Sequence, residues 1–92
     1  MTPRPYALVV TRPAARTIQE RLPEAVAFAV LDFISGPLLD EPRRVGAALH
    51  HELEGLWSAR RGAYRIVYRI DDAQCEVIVL RVGHRADVYR PD

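Results

Sequence analysis

Lysine is absent from this 92-residue chain, and cysteine occurs once. All 13 basic residues are arginines, a bias that a GC-rich genome explains in large part. The single thiol, Cys75, excludes an internal disulfide and is typical of a reducing cytoplasm; its expected place within a strand makes it a packing residue. No apolar run approaches the roughly 18 residues that a membrane span requires, and no signal-peptide pattern opens the chain. We therefore expect one soluble, cytoplasmic domain over residues 1–92.

The motifs of several common enzyme classes are also missing. The chain has no glycine-rich phosphate loop, no serine in a nucleophile elbow and no Cys/His spacing of a zinc site. His50 and His51 are adjacent, and adjacent side chains point in different directions on most backbones. The sequence thus predicts no metal and no cofactor, and it leaves the guanidinium groups, His84 and the tyrosines as candidates for chemistry.

What the chain does contain is an arginine-rich hairpin. Residues Tyr64–Ile70 alternate with the two-residue period of a strand, Asp71–Ala73 supplies a polar turn, and Glu76–Val82 returns as a second strand. The alternation predicts one apolar face and one basic face, the first made of Tyr64, Ile66, Tyr68 and Ile70, the second of Arg65, Val67 and Arg69. If the strands pair symmetrically about Asp72, Arg81 lies on the same face as Arg65. Several guanidinium groups on one sheet face suit a phosphate chain better than a packed core.

The rest of the chain predicts an α+β fold with the order β-α-α-β-β-β. Tyr6–Val10 reads as a first strand, and Thr11 as the N-cap of a helix with Ala15, Ile18 and Leu22 on one face. Pro23 separates that helix from a second one over Glu24–Ile34, which Gly36-Pro37 ends. The two helices form a hairpin packed on one face of a small, mostly antiparallel sheet. The long connection Pro37–Gly55 predicts a surface loop with a short helical turn near Val45–Leu49, and Leu56–Arg61 predicts the next strand.

Arginine, histidine and tyrosine can cleave RNA without a metal. The 2′-hydroxyl beside the scissile phosphate is a built-in nucleophile, so the protein has to orient it, accept its proton and neutralise the phosphorane. Arginine suits the last task because its planar fork matches phosphate oxygens. The same residues also have plain structural readings: Arg60, Arg61 and Arg69 as strand-edge charges, His84 as an exposed histidine, Tyr64 and Tyr68 as core residues, and Trp57 as either packing or base stacking.

Several motifs, taken together and in order, resemble the RelE/ParE toxin family. They are L-E-G-L-W-S-A-R-R-G from Leu53 to Gly62, G-A-Y-R-I-V-Y-R-I-D-D from Gly62 to Asp72, and V-I-V-L-R-V-G-H-R-A-D-V-Y-R from Val77 to Arg90. More narrowly, the chain resembles the RelE-type toxins of mycobacteria and related actinobacteria. The E-P-R-R-V-G loop from Glu41 to Gly46 matches as well, so that the resemblance covers nearly the whole chain.

The resemblance implies a type II toxin that cuts mRNA in the ribosomal A site by 2′-hydroxyl attack. Carried over by motif, Arg65 corresponds to the family's phosphate-binding arginine, Arg85 to its transition-state arginine and Tyr89 to its C-terminal tyrosine. Arg61 falls where the family commonly has a basic residue, and Arg60 and Arg81 join it as candidate RNA-binding residues. The implied partners are a RelB-like antitoxin, in a hetero-oligomer with the toxin, and the ribosome with its mRNA; no membrane is implied.

The chain departs from the family in having no lysine on its second predicted strand. Arginine is a poor general base because its pKa exceeds about 12, whereas an unperturbed histidine titrates near 6.5. His84 is therefore the substitute candidate for proton transfer. Two alternatives stay open: a ParE-like toxin that shares the fold and inhibits DNA gyrase, and a non-catalytic module that binds RNA or protein through the same arginines.

Overall fold

The computed structural model describes residues 5–84 and shows helices on one face of a five-stranded sheet. In chain order the elements are β1 Ala7–Val10, α1 Arg12–Glu20, α2 Glu24–Ile34, α3 Pro37–Asp40, β2 Ala47–Ala48, a 3₁₀ turn His51–Leu53, β3 Trp57–Arg61, β4 Tyr64–Asp71 and β5 Glu76–His84. The strand order across the sheet is β1-β5-β4-β3-β2, with β1 parallel to β5 and all other neighbours antiparallel. The predicted α+β fold with its mostly antiparallel sheet is confirmed, and α3 and β2 are additions to the predicted order.

The two main helices begin and end close to where proline and the apolar spacing indicate. Pro23 stands immediately before α2 in an extended conformation, which suits a residue that ends one helix and opens the next. On α1 the buried positions are Ala14 and Ile18. Ile18 belongs to the predicted face, and Leu22 packs against the core as well, whereas Ala14 takes the place expected for Ala15. On α2 the buried side chains are Val30, Phe33 and Ile34.

The core lies between these helices and the inner face of the sheet. Alternate residues of β4 and β5 point into it, with Ile66 and Tyr68 on β4 and Val77 and Val79 on β5 all without exposed surface. The apolar face predicted for Tyr64–Ile70 is therefore the helix-packed face, and Trp57 packs against the same core. Among residues 5–84, no helix combines the length and apolar character that crossing a bilayer would need.

The connection from residue 37 to residue 55 wraps one end of this core. The Tyr68 hydroxyl donates a hydrogen bond of 2.6 Å to the carbonyl of Pro42, and burial raises the pKa of Tyr68 to about 12. Gly46 passes so close that a Cβ atom at this position would overlap the Tyr68 hydroxyl oxygen. The helical turn expected near Val45–Leu49 was wrong, because Ala47 and Ala48 pair with Trp57 and Ser58 as an edge strand.

The turn between β4 and β5 differs from the prediction in one residue. Cys75 lies just before β5 rather than within a strand, and its φ of 54° places it in the left-handed region. The Asp71 carboxylate accepts the backbone N–H of Gln74 at 3.0 Å, and the Cys75 N–H reaches the carbonyl of Asp72 at 3.3 Å. The turn thus has four residues and is longer than the tight Asp71–Ala73 turn that the sequence suggested.

Candidate functional site

The helix-free face of the sheet carries arginines from three neighbouring strands. Arg60 of β3 lies directly across from Arg65 of β4, and Arg81 of β5 lies directly across from Val67, one position along from Arg65 on the same face. Directly paired residues place their Cβ atoms about 5 Å apart and diagonal neighbours about 7–8 Å apart, so these guanidinium groups can contact neighbouring phosphates of one nucleic-acid chain. We call Arg60, Arg65 and Arg81 the arginine face; Arg69 lies on the same side, farther toward the hairpin turn and opposite Ile78.

Arg65 is the central member of the arginine face. Its side chain is half-buried, and its Nε atom is buried without a hydrogen-bond partner among the described residues. Like charges directly across a sheet oppose each other, as Arg60 and Arg65 do here, and a buried unpaired donor costs free energy. Gly83 lies directly across from Arg65 on β5. This arrangement suits an oxyanion that supplies both the missing acceptor and the missing negative charge.

Arg61 does not belong to the arginine face. It pairs with Tyr64 on the helix-packed side, where its guanidinium carbon lies 3.5 Å from the centroid of the Phe33 ring. One of its terminal nitrogens also donates to the carbonyl of Arg60 at 2.6 Å. Its immediate role is therefore a cation–π contact that joins α2 to β3.

His84 and Tyr64 form an aromatic pair where β4 begins and β5 ends. The residues lie directly across from each other, and their rings meet edge to face with centroids 5.7 Å apart. They line a groove of about 1000 Å³ between α1 and the end of β5, together with Arg12, Arg16 and Arg81 among others. His84 itself is exposed. The imidazole is thus accessible at the sheet end, on the strand that also carries Arg81 but on the other side of it.

Arg85 and Tyr89, which the sequence motifs connect with the transition state and the C-terminal tyrosine, lie outside the described residues. Of the remaining sequence-predicted residues, the structure brings Arg60, Arg65 and Arg81 together, sets His84 at the sheet end and separates Arg61 from them. In the part of the chain that the structure describes, no three His, Cys, Asp or Glu side chains are grouped as a metal site would require.

Two features of the site were missed by the sequence reasoning. Arg12 and Arg16 line the groove beside His84, and their i, i+4 spacing on α1 is the signal that was available. The second feature is an irregularity in the pairing of β4 with β5 between Val67 and Tyr68. Hydrophobic alternation cannot reveal such an irregularity when both strands are apolar over most of their length.

Comparison with known proteins gives consistent results. The family model for the ParE toxin of type II toxin–antitoxin systems matches residues 8–89. Toxin RelE of Mycobacterium tuberculosis is 49% identical over 86 residues, which cover 94% of this chain and 88% of that toxin. Toxin RelG of the same organism is 50% identical over 86 residues, covering 94% of this chain and 98% of that toxin.

Solved structures agree with the sequence relatives. The crystal structure of a RelBE toxin–antitoxin complex from Mycobacterium tuberculosis contains a chain that superposes with a TM-score of 0.84 at 48% identity, covering 89% of this chain and all of that one. The isolated RelE toxin of Escherichia coli superposes with a TM-score of 0.71 at 20% identity, covering 95% of this chain and 88% of that one. At this identity the match shows that the two chains share a fold.

Proposed function

Since the chain belongs to the ParE toxin family of type II toxin–antitoxin systems, we propose that it is a RelE-type toxin that cleaves mRNA on the ribosome. The observation that carries this proposal is the arginine face, with the Nε atom of Arg65 buried and, among the described residues, unpaired at its centre. The guanidinium groups of such a face can bind and neutralise a phosphodiester, whereas they contribute little to a protein core. Identity of 49% and 50% to two toxins of the RelE group favours the nuclease branch of the family.

The proposed reaction uses the substrate's own 2′-hydroxyl. That oxygen attacks the neighbouring phosphorus in line, and the bond to the 5′-oxygen of the next nucleotide breaks. The leaving 5′-oxygen takes up a proton from water and becomes a hydroxyl, and a 2′,3′-cyclic phosphate remains on the other fragment. Arg65 binds a non-bridging oxygen of the scissile phosphate, with Arg60 and Arg81 contacting the flanking backbone. Arg85 stabilises the charge that develops on the phosphorane, and Tyr89 orients the nucleophile. Electrostatic stabilisation of this kind is commonly the largest contribution to acyl and phosphoryl transfer.

His84 accepts the proton of the 2′-hydroxyl in this proposal, which requires the RNA to pass around the end of the sheet from the arginine face to the side of His84. It is exposed at the end of β5, and the Tyr64 ring restricts one side of the imidazole. Replacing a general base typically lowers a rate by about 10²- to 10⁴-fold. We expect His84→Gln to lower the cleavage rate within this range. Single-turnover cleavage on programmed ribosomes measures the rate, and a rate equal to that of the wild type would exclude His84 as the base.

A RelB-like antitoxin is the proposed partner, in a hetero-oligomer that holds the toxin inactive. This is supported by the RelBE complex, in which a chain 48% identical to this one is bound to its antitoxin. The ribosome and its mRNA are the proposed targets of the free toxin, and the cytoplasm is the compartment in which both occur.

Inducible expression in a bacterial host, with primer extension on an abundant mRNA, tests the proposal. The wild type is compared with Arg65→Ala, with Arg85→Ala and with Arg44→Ala, a control whose guanidinium is exposed and pairs with Glu41 away from the site. We expect growth arrest with new 5′ ends inside translated codons for the wild type and Arg44→Ala, and loss of both effects for Arg65→Ala and Arg85→Ala. Co-expression with the antitoxin should restore growth.

DNA gyrase inhibition is the second candidate, because the family model that matches residues 8–89 is the one for ParE toxins. Arrest without mRNA cuts, accompanied by loss of gyrase supercoiling in the presence of purified toxin, would replace the nuclease proposal with this one. Salt-sensitive RNA binding with neither arrest nor cuts would instead indicate a non-catalytic binding module.

A further inference from the structure

The place of Arg81 on the arginine face depends on one extra residue in β5. From Asp71 to Tyr68, β4 pairs one for one with Glu76 to Val79. If that pairing continued, Val67 would oppose Leu80, and Arg81 would oppose Ile66 on the helix-packed face. Instead Val67 opposes Arg81, and Leu80 is skipped. Because side chains alternate with a period of two, this single-residue bulge moves Arg81 to the side of Arg65.

A bulged residue leaves the regular ladder, and here its carbonyl has a specific acceptor role. Leu80 has no register partner on β4, and β1 ends its pairing with β5 at Val79. The Thr11 hydroxyl lies 3.0 Å from the carbonyl oxygen of Leu80 and 3.1 Å from that of Val79. The backbone N–H of Thr11 already donates to the Val79 carbonyl at 3.1 Å, so the Leu80 carbonyl is the one that needs the hydroxyl.

Thr11 is well placed for this role because it joins two regular elements. It follows the last residue of β1 and precedes the first residue of α1, and both its neighbours in the chain are thereby fixed. Its hydroxyl makes no capping bond to α1, although threonine at this position usually does so. The hydroxyl binds the bulge instead.

We propose that Thr11 is a positioning residue, which holds the Leu80 bulge and thereby keeps Arg81 on the arginine face. The activity readout of this inference rests on the proposed nuclease function. Thr11 itself does not touch RNA; it acts through Arg81. Serine preserves the hydroxyl, whereas valine preserves the shape and removes it, so the chain offers a matched pair of variants.

The first test is a double-mutant cycle on ribosomes programmed with an mRNA that the wild type cuts. We expect Thr11→Val and Arg81→Ala each to lower single-turnover cleavage by about tenfold, the loss of one good phosphate contact. The double variant should be no slower than Arg81→Ala alone, because the hydroxyl then has no arginine to position. Thr11→Ser should cleave like the wild type. A general loss of stability would instead lower the rate in both backgrounds, so multiplying losses, or wild-type cleavage by Thr11→Val, would overturn the inference.

The second test does not depend on cleavage. Amide hydrogen exchange should be faster in Thr11→Val at Leu80, Arg81 and Val82, and unchanged at the turn end of the same hairpin, while Thr11→Ser should match the wild type. Equal exchange in wild type and Thr11→Val would overturn the inference. If the wild type cuts no mRNA, the nuclease proposal fails, but this inference is still tested. Hydrogen exchange then shows whether Thr11 holds the bulge, and the affinity of the same variants for a single-stranded oligouridylate shows whether Thr11 also positions Arg81.

Discussion

At the scale of single residues, Arg65 combines a stability cost with a proposed function. Its buried Nε atom lacks a partner among the described residues, and Arg60 lies directly opposite with the same charge. An unsatisfied buried donor costs about 1–3 kcal/mol. The arginine is therefore a poor choice for folding alone, and a phosphate oxygen is the acceptor that would explain its presence.

We expect Arg65→Met to stabilise the protein while abolishing cleavage. Methionine keeps the length of the side chain and removes the unpaired donor and the repulsion, so the melting temperature should rise by about 4–8 °C for each kcal/mol recovered. Arg69→Met is the matched control, since Arg69 is exposed on the same strand and the same face; its melting temperature should change little. A lower melting temperature for Arg65→Met would show that the guanidinium is satisfied in the folded protein.

For Arg61 we expect substitution to destabilise the protein, because its guanidinium lies on the Phe33 ring on the helix-packed face. Arg61→Ala should lower the free energy of unfolding by about 1 kcal/mol through the lost cation–π contact and side-chain packing. Arg60→Ala, one residue earlier and on the other face, should change stability by less than about 0.5 kcal/mol. Chemical denaturation compares the two variants. Equal stability of wild type and Arg61→Ala would mean that the contact with Phe33 contributes nothing measurable.

At the scale of elements, the sequence predicts what each strand and helix buries better than how the strands align. The two-residue period of β4 correctly separates Ile66 and Tyr68 from Arg65, because burial on one face selects the residue type at every second position. The alternation does not predict which residues of β4 and β5 face each other. The symmetric pairing about Asp72 that we considered was wrong, because Asp71 pairs with Glu76. Arg81 nevertheless shares the face of Arg65 as predicted, since the bulge at Leu80 compensates for the different register. That bulge depends on Thr11, about 70 residues away in the chain, and no local pattern encodes such a contact.

The loop Glu41–Gly46 shows how a connection can belong to the core. A Cβ atom added at Gly46 would overlap the Tyr68 hydroxyl oxygen and lie 2.9 Å from the Ser58 carbonyl oxygen. We expect Gly46→Ala to destabilise the protein by about 1–3 kcal/mol, the usual cost of overpacking.

A partner variant tests the physical cause of that loss. Tyr68→Phe removes the hydroxyl and leaves the Pro42 carbonyl unpaired, at a cost of about 1–2 kcal/mol. Because the same deletion relieves the main clash with the methyl group that Gly46→Ala introduces, the double variant should be less destabilised than the two single losses added together. If the two losses in the free energy of unfolding add in urea denaturation, the clash caused by Gly46→Ala lies with the Ser58 carbonyl rather than with the Tyr68 hydroxyl.

At the scale of the whole molecule, three segments far apart in sequence meet in one polar contact. The Arg43 guanidinium donates to both carboxylate oxygens of Asp72, at 3.2 and 2.6 Å, and the Tyr6 hydroxyl donates to Oδ1 of Asp72 at 2.5 Å. The contact joins the chain before β1, the loop after α3 and the turn between β4 and β5. The sequence predicted each segment separately, and their meeting follows only from the packing of the core beneath them.

The contact between Asp72, Arg43 and Tyr6 makes the stability of the folded protein depend on pH in a specific direction. Hydrogen bonds from Arg43 and Tyr6 hold the pKa of Asp72 below its ordinary value of 3.8. A carboxylate whose pKa is lower in the folded state stabilises the protein above its unfolded pKa, and that contribution disappears as the pH falls through the folded value. We therefore expect Asp72→Asn to melt below the wild type at neutral pH, with the difference closing as the pH falls below about 4.

Thermal denaturation from strongly acidic to neutral pH measures this difference. Glu41→Gln is the control, since Glu41 forms only a local exposed pair with Arg44 and should show a smaller difference. A difference that stayed constant over the whole range would mean that the geometry of the amide introduced by Asp72→Asn, rather than the lost charge, destabilises the variant.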